Sequence, residues 1–249
     1  MRALLLLLVL YGVPAGAAEL RVVSSGGFAE AYRALLPGFE AATGASVTTE
    51  WGPSMGATPQ AVPQRLARGE PIDVVIMVGA AMDKLVADGT VAARVDLARS
   101  VIGVAVREGA PVPDIGSVDA VRRTLLAARS VAVSDSASGV YITTVLFKRL
   151  GIEAEMAATA RQIPAEPVGA VVARGDADLG LQQISELKPI HGITLVGPLP
   201  DSLQQVTVFS AGRLTRSSEP AAADALIRML SAPAAAPTII ESGLDPVNR

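Results

Sequence analysis

Short apolar runs that alternate with helical patterns constrain this chain more than any other feature. Strands are expected at Leu20–Ser24, Ser46–Trp51, Asp73–Val78, Val101–Val106, Val131–Val133, Asp178–Gln182, Thr194–Val196 and Gln205–Ser210. Helical patterns fall between and after them, at Ala29–Thr43, Gln60–Arg68, Ala80–Asp88, Val118–Ala128, Val140–Leu150, Val168–Arg174, Pro220–Ser231 and Pro233–Ser242. This alternation predicts an α/β protein with mainly parallel sheets covered by helices on both faces. The composition fits. Half of the residues are apolar but only 3% are aromatic, so the core must be built from Ala, Val, Leu and Ile. Pro37 lies inside the first helical pattern and is expected to kink or split it.

Two apolar strands, in VDLARSVIGVAVREGAPVPD and QQVTVFSAGR, are placed to cross between two lobes. Residues 18–100 and 208–249 would then form one discontinuous lobe, and residues 101–207 the other. A single α/β sheet is the alternative. The N-terminus, MRALLLLLVLYGVPAGAAEL, has one basic residue, a short apolar run and small residues at an A-x-A site. That pattern predicts an export signal over residues 1–17, too short to span a membrane, and a periplasmic mature protein. Loss of Arg2 with the signal leaves 20 basic against 24 acidic residues. No basic cluster and few stacking aromatics argue against nucleic-acid binding. There is no Cys, so no disulfide can form.

Three Ser/Gly turns stand where a strand hands over to a helix: Ser24–Gly27, Gly52–Gly56 and Ser134–Gly139. In open α/β sheets, ligands bind beyond the carboxyl ends of strands. Hydroxyls donate to an oxyanion there, and Gly lets the backbone come close. Each Ser also has a plain reading as a helix cap. With one His and no Cys, a metal site and a Ser–His–Asp hydrolase are both disfavoured, and no G-x-S-x-G elbow is present. In DLGLQQISELKPIHG the strand stops at Gln182 and Gln183, which either face a cleft or open a surface helix.

The order of these motifs resembles the periplasmic molybdate-binding proteins of ABC transporters. The resemblance is carried by Ser-Ser-Gly-Gly with FAEAYRALLPGFEAATG, and by RLARGEPIDVVIMVGAAMDKLVADG, SASGVYITTVLFKRLG, EPVGAVVARGDADLGLQQ and SAPAAAPTIIESGLDP. It implies a two-lobed type II periplasmic binding protein fold with the ligand between the lobes. It further implies ligand contacts from Ser25, Gly26, Gly27, Ser54, Ser138, Val168 and Gln183, with Gln182 and Tyr141 in support. Gly27 stands where molybdate binders carry a serine, and Gln183 where they carry a tyrosine. An organic carboxylate is therefore expected rather than molybdate.

The reading favoured on this basis is a monomeric binding protein for a small anion, with an ABC permease as its partner and no cofactor. The alternative resembles the periplasmic aconitate isomerases, which shift a proton and a double bond in a small tricarboxylate. For that chemistry the candidate bases are Glu186, Asp135 and His191.

Overall fold

The computed structural model describes residues 17–164 and 166–248; residues 1–16, which hold nearly all of the expected export signal, lie outside the described residues. The first half of the chain runs β1 (Glu19–Ser24), α1 (Ala29–Thr43), β2 (Ser46–Trp51), α2 (Val62–Ala67), β3 (Val74–Val78), α3 (Gly79–Ala87), β4 (Val95–Ser100), β5 (Ile102–Arg107), α4 (Val118–Ala127) and β6 (Val131–Ser134). It continues with α5 (Ala137–Tyr141), α6 (Phe147–Leu150), α7 (Glu153–Thr159), β7 (Ala160–Ile163), α8 (Val168–Arg174), β8 (Leu179–Gln183) and α9 (Ile184–Leu187). It ends with β9 (Ile193–Pro198), β10 (Thr207–Arg213), α10 (Pro220–Leu230), α11 (Ala236–Glu241) and β11 (Asp245–Pro246). A π-helical stretch, Ile142–Leu146, joins α5 to α6. Among the described residues no helix is long and apolar enough to cross a membrane.

The strands form two mixed sheets, ordered β11-β4-β10-β3-β1-β2 and β7-β6-β8-β5-β9. Each sheet with its helices makes one lobe. The parallel pairs are β1–β2, β1–β3, β6–β7 and β6–β8, where crossover helices force strands to run the same way. The strands next to the crossings, β4, β5 and β10, pair antiparallel. In β3 every residue is buried. Val74, Ile76 and Val78 pack into one apolar cluster, and Val75 and Met77 into another. That is the period of two for a strand covered on both faces. Each such side chain contributes about 1.5–3 kcal/mol on burial.

The chain leaves the first sheet at Ser100, enters the second at Ile102, and returns between Pro198 and Thr207. Gln204 holds the two crossings side by side. Its Oε1 accepts from the Ile102 N–H at 2.8 Å, and its Nε2 donates to the Ile102 carbonyl at 3.0 Å and the Leu199 carbonyl at 3.2 Å.

Three local features differ from expectation. Pro37 does not split α1, which runs unbroken from Ala29 to Thr43. Ala31, Tyr32 and Phe39 anchor the helix on both sides of the proline, while Pro37 and Arg33 face solvent, where water can hydrate the carbonyl the proline leaves unpaired. The helix expected from Val140 starts at Ala137 instead. A Cβ at Gly139 would overlap the Ser134 carbonyl, so glycine permits this close start behind β6. The strands β4, β7 and β11 and the helices α7 and α9 add to the expected set. The polar Asp96 and Arg99 interrupt β4, the middle of β7 is exposed, and α9 is a single turn.

Candidate functional site

The turns that follow β1, β2, β6 and β8 meet at a cleft of about 390 Å³ between the lobes. From the first lobe come Ser25, Gly26 and Gly27, then Trp51–Ser54, and Phe209 of β10. From the second come Ser134–Ser138, then Gln182, Gln183, Ser185 and Glu186.

The first-lobe hydroxyls are buried and available. Ser25 Oγ is enclosed without a partner. Ser54 Oγ accepts the Val78 N–H at 2.9 Å, which leaves its own hydrogen free to donate. The second-lobe serines are instead bound to one another. Ser134 Oγ lies 3.0 Å from both Ser136 Oγ and Ser138 Oγ, and it accepts the Gly139 N–H at 3.2 Å.

The glutamines divide their work by strand alternation. Gln182 lies on the face of β8 toward α8, and its Oε1 accepts the Val168 N–H at 3.0 Å. Gln183 points the other way, and its Nε2 donates to Thr207 Oγ1 at 2.9 Å while its Oε1 is buried without a partner. Directly after them, Ser185 Oγ donates to the Gly27 carbonyl of the opposite lobe at 2.7 Å.

Glu186 brings its carboxyl to the first turn of the other lobe, where a Cβ at Gly26 would overlap its Oε1. The residue is half-buried, and it lines the cleft with its Oε1 against Gly26. Burial pushes its pKa up to about 7, a hydrogen bond from Gln182 opposes the rise, and the nearby Asp135 charge adds to it. Other cleft charges are paired: Glu30 with Arg33, and Glu166 with Arg174. Arg33 also lies over the Trp51 ring, 4.2 Å from its centroid.

The cleft thus brings together Ser25, Gly26, Gly27, Ser54, Asp135, Ser138, Gln182, Gln183 and Glu186. Three other candidates stand apart from it. Val168 is not among the cleft-lining residues, and its N–H donates to Gln182 Oε1. Tyr141 is part of the second lobe's core, its hydroxyl donating to the Leu203 carbonyl at 2.8 Å. His191 is exposed in the turn before β9. Sequence reasoning missed Phe209 and Ser185. Phe209 is the one aromatic residue in the crossing strand QQVTVFSAGR, and Ser185 directly follows the Gln183-Ile184 step.

A family model described as bacterial extracellular solute-binding protein matches residues 20–245. The chain belongs to that family. Among its relatives is a Pseudomonas protein named aconitate isomerase, 54% identical over 230 residues, which cover 92% of this chain and 88% of the relative. Solved structures of low identity share the fold. The Azotobacter vinelandii periplasmic molybdate-binding protein has a TM-score of 0.70 at 22% identity, over 90% of this chain and 98% of its own. The sulfate-binding protein SubI from Mycobacterium tuberculosis has a TM-score of 0.71 at 19% identity, over 92% of this chain and 87% of its own. These likenesses establish the type II periplasmic binding protein fold. Family membership points to a small solute as ligand.

Proposed function

We propose that this protein is an exported isomerase that moves a proton and a double bond in aconitate within the interlobe cleft. The reading expected from sequence, a binding protein serving transport, gives way to this one. The observation that overturns it is the 54% identity, over nearly the whole chain, to a protein named aconitate isomerase. The export pattern at the N-terminus supports a periplasmic location.

The cleft supplies what a 1,3-proton shift requires. The substrate's CH₂ carbon lies between a carboxylate and the alkene, and the ionised Glu186 takes one of its protons. The electron pair left by the broken C–H bond spreads over the allylic carbons and the adjoining carboxylate. Glu186 then returns the proton to the far allylic carbon, and the double bond moves across the central carbon. One C–H bond breaks, one forms, and no electrons enter or leave. A base with a pKa near the working pH is suited both to take and to give the proton. The free Ser25 hydroxyl and the Ser54 hydrogen are placed to hold substrate carboxylates and to stabilise the enolate-like charge. Gln183 Oε1, a buried acceptor without a partner, suits a protonated carboxyl group.

The test uses mature protein and cis- or trans-aconitate, followed by ultraviolet absorbance and by proton NMR in D₂O. Interconversion of the isomers is the expected result. Saturable aconitate binding without any interconversion overturns the reading.

A further inference from the structure

Four acidic side chains line the cleft, Glu30, Asp135, Glu166 and Glu186, and among the described lining residues Arg33 is the one cation. A ligand with several carboxylates brings more negative charge to that wall, and like charges brought together cost affinity. Arg33 is the lining group that can offset them with a full positive charge. Its side chain is 52% exposed, so it stands at the rim of the cleft. It is nonetheless seated there, with its Cζ 4.2 Å from the centroid of the Trp51 ring. Trp51 is held in turn from the core side, where the buried Tyr32 ring meets it nearly edge-on, 6.1 Å between centroids.

The guanidinium is only partly used. Its Nη1 bonds Glu30, one turn earlier on α1, and among the described residues no hydrogen bond occupies Nε or Nη2. Those two nitrogens form one edge of the planar fork, and that edge matches the two oxygens of a carboxylate. We propose that Arg33, seated on Trp51, binds one carboxylate of the ligand at the cleft rim through its Nε–Nη2 edge. For the class of ligand, a tricarboxylate, this rests on the isomerase reading. The buried Ser25 and Ser54 hydroxyls are neutral donors, so the rim contact adds the charge that they lack. Because the fork already rests on the ring, less side-chain freedom is lost on binding.

The experiment measures the affinity of mature protein for trans-aconitate and for propane-1,2,3-tricarboxylate, by calorimetry and by the fluorescence of Trp51, the chain's one tryptophan. Arg33→Gln should weaken both affinities about tenfold, the scale of a charged hydrogen-bonded contact. Arg33→Lys should recover part of the loss, since it restores the charge but not the fork. Both variants should melt close to wild type, because the residue is exposed. Added salt should weaken wild-type binding more than binding by Arg33→Gln. Equal affinities in wild type and Arg33→Gln, or an equal salt dependence, overturn the proposal. Tricarboxylate binding that depends on Arg33 but leads to no turnover brings down the isomerase reading and leaves the rim contact standing. Turnover with affinities indifferent to Arg33 does the reverse.

Discussion

The two turns that face each other across the cleft solve the problem of a polar surface in opposite ways. In the second lobe, the serines of the β6–α5 turn satisfy one another, and Ser134 Oγ alone touches Ser136, Ser138 and the Gly139 N–H. That turn is complete within its own lobe. In the first lobe, the turn after β1 is bare: Ser25 Oγ has no partner, and the spaces beside Gly26 and Gly27 are filled by Glu186 and Phe209 from elsewhere. Ser185 ties the same turn to the other lobe through the Gly27 carbonyl. One turn is therefore a preformed platform. The other becomes a site only when α9 is docked on it. Substitutions at the bare turn should disturb chemistry more than stability, and those at the serine turn the reverse.

The largest effect is expected at Glu186. Glu186→Gln keeps the shape and the hydrogen bond but cannot take a proton, and activity should fall about 10²–10⁴-fold. The wild-type pH profile gives a sharper check, because the base must be ionised to start the reaction. The Glu186 pKa is raised to about 7, so kcat/KM should rise with pH through that value and level off above it. Stability moves the other way. A raised folded-state pKa means that the native protein holds its proton more tightly than the unfolded chain does. The contribution is complete below the ordinary carboxyl value and is lost as pH rises through about 7. Glu186→Gln should therefore gain in melting temperature relative to wild type between pH 5 and pH 8. Equal melting differences at both values would place the carboxyl in a wetter setting.

Gly26→Ala comes next. Its methyl would overlap Glu186 Oε1, the far end of a flexible side chain. The carboxyl can swing aside, so the fold should survive with little change in melting. Activity should drop by about tenfold to a hundredfold, the scale on which small displacements of reacting groups are felt. A destabilised but fully active Gly26→Ala protein would show that Glu186 does not work from this position.

How far these contrasts could be read in the sequence depends on the range of the interactions. The strand-to-helix rhythm identified β1, β2, β3, β5, β6, β8, β9 and β10, because short apolar runs between helical patterns can be read locally. β4 was hidden, because Asp96 bonds Arg94 and Ser210, a residue more than a hundred positions away. The three Ser/Gly turns marked the cleft, since strand ends in such folds point at ligands. The roles within it were not legible. Nothing near Gly27 shows that Phe209 fills its place, and nothing near Glu186 shows that Gly26 makes room for it. Both facts depend on long-range packing. Gln183 was correctly set at the strand end, but its bond to Thr207 depends on the return crossing.

On the platform side the expected sign reverses. Ser134→Ala removes the hub of the serine turn and leaves Ser136, Ser138 and the Gly139 N–H to find other partners. A buried network of this kind should cost about 1–3 kcal/mol of stability. Turnover at saturating aconitate should change by less than about threefold, because neither the Glu186 carboxyl nor the Gly26–Gly27 turn is touched. Chemical denaturation and steady-state rates on the same sample separate the two effects. A variant of unchanged stability and much reduced kcat would move the centre of the chemistry to the second lobe.

The smallest effect is expected at His191, the residue whose chemistry is most suggestive in the bare sequence. It is the chain's one histidine, and imidazole is the commonest general base. Its position argues against that role. It is exposed before β9 and absent from the cleft lining, whereas Pro189 and Ile190 line the cleft just before it. One residue of chain, from Ile190 to His191, is enough to turn a side chain from the cleft wall to solvent. His191→Ala should leave kcat/KM unchanged within about twofold and stability within about 0.5 kcal/mol, as surface substitutions generally do. A large loss of activity in this variant would mean that the turn folds inward when substrate binds, and Glu186 would then share its role with a second base.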